Sequence, residues 1–131
     1  MVDADYFKRI NDRFGHLVGD EALKAIAATL NKALRASDII GRYGGEEFVC
    51  LTVLQAETDA ERVFERVCAA VAKIGLSAGG QPVPLTVSIG FTTDLGNSLK
   101  QMIEQADSAV YRAKAEGRNR ALRWSLQSSA G

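Results

Sequence analysis

Gly44-Gly45-Glu46-Glu47-Phe48 lies between two apolar runs, Ile39-Ile40 before it and Phe48-Val49-Cys50-Leu51 after it. A glycine pair between such runs predicts a β-hairpin, because glycine reaches positive φ without steric cost. A turn without side chains also lets a bulky polyanion lie against the backbone. The two glutamates that follow stand where a phosphate-bound metal ion needs oxygen ligands. These five residues alone leave two readings open: a solvated surface hairpin, or one wall of a metal–phosphate site.

Outward from the hairpin, hydrophobic spacing predicts alternating elements. Asp5 is placed to cap a short helix with Phe7, Ile10 and Phe14 on one face, ended by Gly15. A second helix is expected from about Gly19-Asp20 to Ser37-Asp38, with Leu23, Ile26, Ala27, Leu30 and Leu34 inward. Strands are expected over 39–43 and 47–53. A third helix over 59–74 turns Val63, Val67, Ala70, Val71 and Ile74 inward. After a loop at 79–84, Leu85, Val87, Ile89 and Phe91 alternate with Thr86, Ser88 and Gly90, the pattern of a half-buried strand. A fourth helix carries Leu99, Met102, Ile103, Ala106, Val110 and Ala113 and ends near Gly117. Residues 121–124 form a last edge strand. Helices interspersed with a hairpin predict an α+β sheet with helices on its faces.

The 131 residues, 47% of them hydrophobic, suffice for one domain with one core, expected over 1–124 with a fraying tail at 125–131. Sixteen basic and sixteen acidic residues cancel, which excludes the basic stripe needed to bind a nucleic-acid polymer. Cys50 and Cys68 sit in apolar stretches and read as buried, reduced thiols rather than a disulfide. A lone histidine, His16, and no Cys-x-x-Cys exclude a zinc site. No apolar run is long enough to span a membrane, and the amino terminus lacks signal-peptide character. A cytoplasmic location is the expectation.

Val2-Asp3-Ala4 reads as the tail of a strand with only Met1 before it, so the chain is expected to start inside an element. Asp3 and Asp5 would project to one side of that strand. Magnesium is usually held by one or two carboxylates plus phosphates and water, a demand Asp3 meets together with Glu46 or Glu47. Asp5 by itself reads as a helix cap, and the first-turn amides of Phe7 and Lys8 suit a triphosphate. A carboxylate such as Asp20 can accept two N–H groups of a guanine edge, and Asn11 can add a contact. Taken singly, Asn11 is a polar helix residue and Asp20 an N-cap.

Asp3-Ala4-Asp5-Tyr6-Phe7-Lys8-Arg9-Ile10-Asn11-Asp12, then Phe14-Gly15-His16 and Gly19-Asp20, resembles the first signature of the diguanylate cyclase (GGDEF) family. Arg42-Tyr43-Gly44-Gly45-Glu46-Glu47-Phe48 is similar to its name motif in the Glu-containing form. Thr86-Val87-Ser88-Ile89-Gly90 resembles a later strand of the family. Ala106-Asp107, Tyr111-Arg112-Ala113-Lys114 and Gly117-Arg118-Asn119 resemble its last helix. The matches run in order from residue 3 to about residue 120.

The resemblance implies a nucleotide-cyclase-like (ferredoxin-like) α+β fold with a mainly antiparallel sheet. It also implies an enzyme that joins two GTP molecules into cyclic di-GMP and releases pyrophosphate. By the same implication Asp3, the carbonyl of Ala4 and Glu46 hold Mg2+ or Mn2+, two ions per GTP site, with Glu47 assisting. Glu46 is also the base for the ribose 3′-hydroxyl. Asn11 and Asp20 read guanine with His16 nearby; Phe7, Lys8, Lys114 and Arg118 contact phosphates; Gly44 and Gly45 give the nucleotide access. Each domain holds one GTP, so turnover requires a homodimer. Arg35-Ala36-Ser37-Asp38, with Arg66, resembles the family's product-inhibition site, and arginine forks suit guanine O6 and N7.

Family members normally carry more chain before the first aspartate, including a helix and the full first strand. The first strand is therefore expected to be largely missing and Asp3 to hang from a frayed terminus, at a cost of several kcal/mol of lost pairing and burial. Three readings follow: a cyclase catalytic domain, a non-catalytic cyclic di-GMP or GTP sensor, and a truncated, inactive domain that only mediates contacts.

Overall fold

The structure is a computed structural model that describes residues 1–54, 56, 58–94 and 98–126. The tail expected beyond the last strand falls, for 127–131, outside the described residues. In chain order the elements are β1 (Val2–Ala4), α1 (Phe7–Phe14), α2 (His16–Ala33), β2 (Ile39–Arg42), β3 (Glu47–Leu51) and α3 (Asp59–Ala72). They continue with β4 (Ser77–Ala78), β5 (Gln81–Pro82), β6 (Val87–Phe91), α4 (Leu99–Ala115) and β7 (Arg120–Arg123).

Five strands form one sheet in the order β2-β3-β1-β6-β7. All neighbours are antiparallel except β6 and β7, which run parallel because the helix α4 carries the chain back between them. The expected mainly antiparallel α+β sheet with helices on its faces is what forms. β4 and β5 pair as a separate two-stranded hairpin whose turn and second strand fall in the stretch expected to be a loop, with its first strand just before it. Gly79 and Gly80, both at positive φ, make its turn.

β1 is short, yet it occupies the centre of the sheet. Val2 and Asp3 pair with Phe48 and Glu47 on one side, and Val2, Asp3 and Ala4 pair with Ile89, Ser88 and Val87 on the other. The Met1 ammonium donates to the Gly90 carbonyl at 2.8 Å, and the Gly90 amide donates back to Met1. Asp3 is thus buried in a paired strand, and the expectation of a frayed terminus is corrected.

Side chains alternate across the sheet. Val2, Ala4, Phe48, Val87 and Ile89 pack under α2 and α3 with Ile26, Leu30, Phe64, Val67 and Val71. Met1 faces Val49 and the α4 residues Ile103, Ala106 and Val110. β6 is buried at every position, so the half-buried expectation fails. Its second face carries Ser88 and Gly90 because α4 crosses there. A Cβ on Gly90 would collide with the backbone at Ala106 and Val110.

α2 begins at His16, a turn before the expected Gly19-Asp20, because Gly15 at φ 91 both ends α1 and opens α2. Asp20 is therefore no N-cap. In α3 the buried face is Ala60, Phe64, Val67, Cys68 and Val71, while Ala70 points outward. Leu99 at the start of α4 is likewise exposed, beside a capping box of Ser98 and Gln101.

Candidate active site

Asp3 sits on the α4 face of the central strand, directly across from Glu47. Its Oδ2 accepts an ion pair from Lys114 Nζ at 2.9 Å, supplied by the last turns of α4. Its Oδ1 is buried and has no hydrogen-bond partner. Glu46 precedes β3, and its carbonyl accepts from the Ala4 amide at 3.1 Å. Burial pushes the Asp3 carboxyl above its ordinary range, opposed by the Lys114 hydrogen bond and charge. Glu46 and Glu47 are also pushed up, first by burial and then by the Asp3 charge. One ammonium does not neutralise this group of carboxylates.

The hairpin between β2 and β3 holds its shape in a way the glycine pair did not announce. Neither Gly44 nor Gly45 adopts a positive φ. The Tyr43 and Gly44 amides both donate to the Glu47 carbonyl, at 2.8 and 3.3 Å. Arg42 pins the turn from below, its Nη2 donating to the Gly45 carbonyl at 2.6 Å and its Nε to that of Gly44 at 3.3 Å. A Cβ on Gly45 would meet nothing within 4 Å, so that backbone is open to a ligand. One on Gly44 would press on Glu47 Oε1 at 3.1 Å.

Asp5 does not cap α1. It is buried and accepts from Ser88 Oγ at 2.6 Å, Thr86 Oγ1 at 2.8 Å and the Asn119 amide at 3.1 Å. The N-cap position belongs to Tyr6, at φ 54, with no side-chain cap and no acidic residue in the first turn. The orphan amides of that turn, near Phe7 and Lys8, suit an anion. Asn11 lies over Gly19, where any Cβ would strike its Oδ1 and crowd the Phe7 ring. Asn11 Oδ1 is the second buried oxygen without a partner. Asp20 and His16 are exposed on α2 beside it. Arg118 Nη1 reaches the Tyr6 hydroxyl at 3.4 Å, at the end of α4.

The structure thus joins Asp3, Glu46, Glu47 and Lys114 in one electrostatic group, and sets Phe7 and Asn11 together against Gly19. Arg35, Asp38 and Arg66 lie apart from both. Asp38 is engaged in its own turn: its Oδ2 accepts from the Arg35 amide at 2.8 Å and its Oδ1 from Val53 at 3.2 Å. Arg35 and Arg66 are exposed, near and on the packed pair α2 and α3. Sequence reasoning missed Arg42 as the pin of the hairpin, Gly19 as the seat of Asn11, and Thr86 and Ser88 as donors to Asp5. Ser88 had a signal, since a polar residue inside an apolar strand needs a partner once it is buried.

The model of the family described as diguanylate cyclase, GGDEF domain, matches residues 1–120. The chain belongs to the GGDEF family. It is 46% identical over 121 residues to the diguanylate cyclase DgcP of Pseudomonas aeruginosa, covering 92% of this chain and 18% of that protein. The chain therefore spans about a fifth of that relative's length. Among solved structures, the isolated GGDEF domain of PA1120 (TpbB or YfiN) from P. aeruginosa superposes with a TM-score of 0.89 at 32% identity, covering 98% of this chain and 77% of that one. The GGDEF domain of DgcB from Caulobacter crescentus, solved in complex with c-di-GMP, gives a TM-score of 0.87 at 31% identity, covering 93% and 74%.

GGDEF cyclases depend in general on a divalent metal, and the residues here fit one. Among the described residues no three His, Cys, Asp or Glu side chains form a ready-made cage. The donors present are all oxygen, the buried Asp3 Oδ1 lacks a partner, and the surrounding carboxylates carry more charge than Lys114 offsets. That donor set suits a hard cation whose remaining ligands come from phosphate and water. Among the described residues no helix is long and apolar enough to cross a membrane.

Proposed function

We propose that this GGDEF domain is the catalytic domain of a diguanylate cyclase, condensing two GTP molecules into cyclic di-GMP with release of pyrophosphate. The observation that carries the reading is the unpartnered, buried Asp3 Oδ1 set against the Glu46-Glu47 hairpin. Asp3, the Ala4 carbonyl and Glu46 would hold Mg2+ or Mn2+, two ions per site, with Glu47 assisting; these supply positive charge at the phosphates and acidify the 3′-hydroxyl. Glu46 accepts the 3′-hydroxyl proton, a role helped by burial, which pushes its carboxyl above the ordinary range. O3′ then bonds to the α-phosphorus of the facing GTP while the bond to pyrophosphate breaks, and the second linkage forms likewise.

Around that step the chain positions and neutralises. Lys114 and Arg118 set positive charge against the phosphates, and the opening turn of α1 at Phe7 and Lys8 offers amides. Gly44 and Gly45 admit the nucleotide, helped by the open backbone at Gly45. Asn11 Oδ1, short of a donor, and the Asp20 carboxylate match the N–H edge of guanine, with His16 at the rim. Two domains face each other as a homodimer, in the cytoplasm where GTP is supplied. Arg35, Asp38 and Arg66 bind the product and inhibit, a reading supported by two guanidinium groups with no ion-pair partner among the described residues, near and on the packed pair α2 and α3.

Incubation with GTP and Mg2+, followed by chromatography for cyclic di-GMP and pyrophosphate, tests the main reading. Glu46→Gln should lower the rate by about 100-fold or more while GTP binding persists. GTP binding by the wild type without product would instead make the domain a sensor. Arg35→Ala should weaken cyclic di-GMP binding about tenfold and leave GTP affinity unchanged; unaltered product affinity would remove the inhibitory site.

A further inference from the structure

We propose that Tyr6, Arg9 and Arg118 form a phosphate clamp, with Tyr6 as its positioning residue and Arg9 as a further binding residue for the nucleotide's terminal phosphates. This rests on the reading that the domain binds GTP. The Arg9 guanidinium carbon lies 4.2 Å from the centroid of the Tyr6 ring and that of Arg118 lies 4.4 Å from it. Arg118 also donates to the ring's hydroxyl. Neither guanidinium has an ion-pair partner among the described residues.

An aromatic face attracts a guanidinium, but two cations gathered on one ring repel each other unless an anion joins them. The geometry is held, not incidental. Tyr6, Arg118 and Asn119 are the non-glycine residues at positive φ among the described residues. Their two segments are tied by the Asn119 amide on Asp5 Oδ2 at 3.1 Å. Left-handed backbone at bulky residues costs energy and persists only where the surroundings enforce it. The ring is half exposed and stands at the uncapped start of α1, which has no acidic residue in its first turn. Two planar forks fixed there match the several oxygens of a phosphate chain.

The test is calorimetric titration of the full chain, in Mg2+, with GTP, ATP, GMP and inorganic tripolyphosphate. Arg9→Ala and Tyr6→Leu should each weaken GTP and tripolyphosphate about tenfold and GMP less than twofold. Tyr6→Phe, which keeps the ring, should bind all probes within about twofold of wild type. Circular dichroism melts of the exposed Arg9→Ala variant separate affinity from folding. Unchanged GTP and tripolyphosphate affinity in Arg9→Ala and Tyr6→Leu overturns the clamp, as does an equal loss for GMP. If those variants bind normally while Asp20→Ala weakens GTP, the clamp falls and the GTP reading stands. If they lose tripolyphosphate while GTP and ATP bind alike, the clamp stands and guanine recognition falls.

Discussion

Asp5 shows how one residue changes meaning between sequence and fold. Locally it is a good helix cap, an aspartate just before Tyr6-Phe7-Lys8. In the fold its two oxygens satisfy two hydroxyls and an amide from segments more than 80 positions away. Asp5→Ala would leave those three donors buried or half-buried without an acceptor, and should cost about 3 kcal/mol by urea denaturation. A lost helix cap alone would cost about 1 kcal/mol, so the measured value separates the two roles. Asp3 was legible from its spacing to Asp5 and the strand pattern. That one of its oxygens is left without a partner was not, because Lys114 and Glu47 arrive from distant elements.

At the scale of elements, the glycines carry the instructive contrast. Gly44 and Gly45 marked the hairpin correctly, but through space rather than through positive φ. Gly90 looked like one more position in an alternating strand. It is the point at which α4 presses its backbone onto β6, and no spacing in the sequence records that crossing. Gly90→Ala should displace α4, lowering stability by about 3 kcal/mol in thermal melts. Faster amide exchange along α4 than along α2 should accompany it, since the strain is local. Because α4 carries Lys114, the same variant should bind GTP more weakly. β7 is pinned at the opposite edge by Arg123, whose fork holds Glu61 of α3 at 2.7 and 2.9 Å.

At the scale of the whole molecule, a buried thiol where α3 meets β6 ties stability to pH. Cys68 is buried against the Val87 carbonyl, and its thiol is pushed up to about 12, chiefly by burial and then by Asp5 and Glu65. The unfolded thiol ionises at its ordinary value of about 9. The folded pKa is therefore the higher one. Its contribution is fully present below about pH 9 and is lost as pH rises toward 12. The stability advantage of wild type over Cys68→Ala should shrink through that window, by up to about 1.4 kcal/mol per pH unit, in urea midpoints taken at successive pH values. A constant gap would mean that the thiol ionises equally in both states. The order of the helices and main-sheet strands, the GGEEF hairpin and the family were determined by the sequence alone, because hydrophobic period and turn chemistry act over a few neighbouring residues. The pairing of a three-residue β1 on both its edges, the partners of Asp5, the ion pair of Lys114 with Asp3, and the stacking of Arg9 and Arg118 on Tyr6 were decided only by tertiary structure. Burial and hydrogen bonding there join residues from opposite ends of the chain, and no local pattern records a contact of that kind.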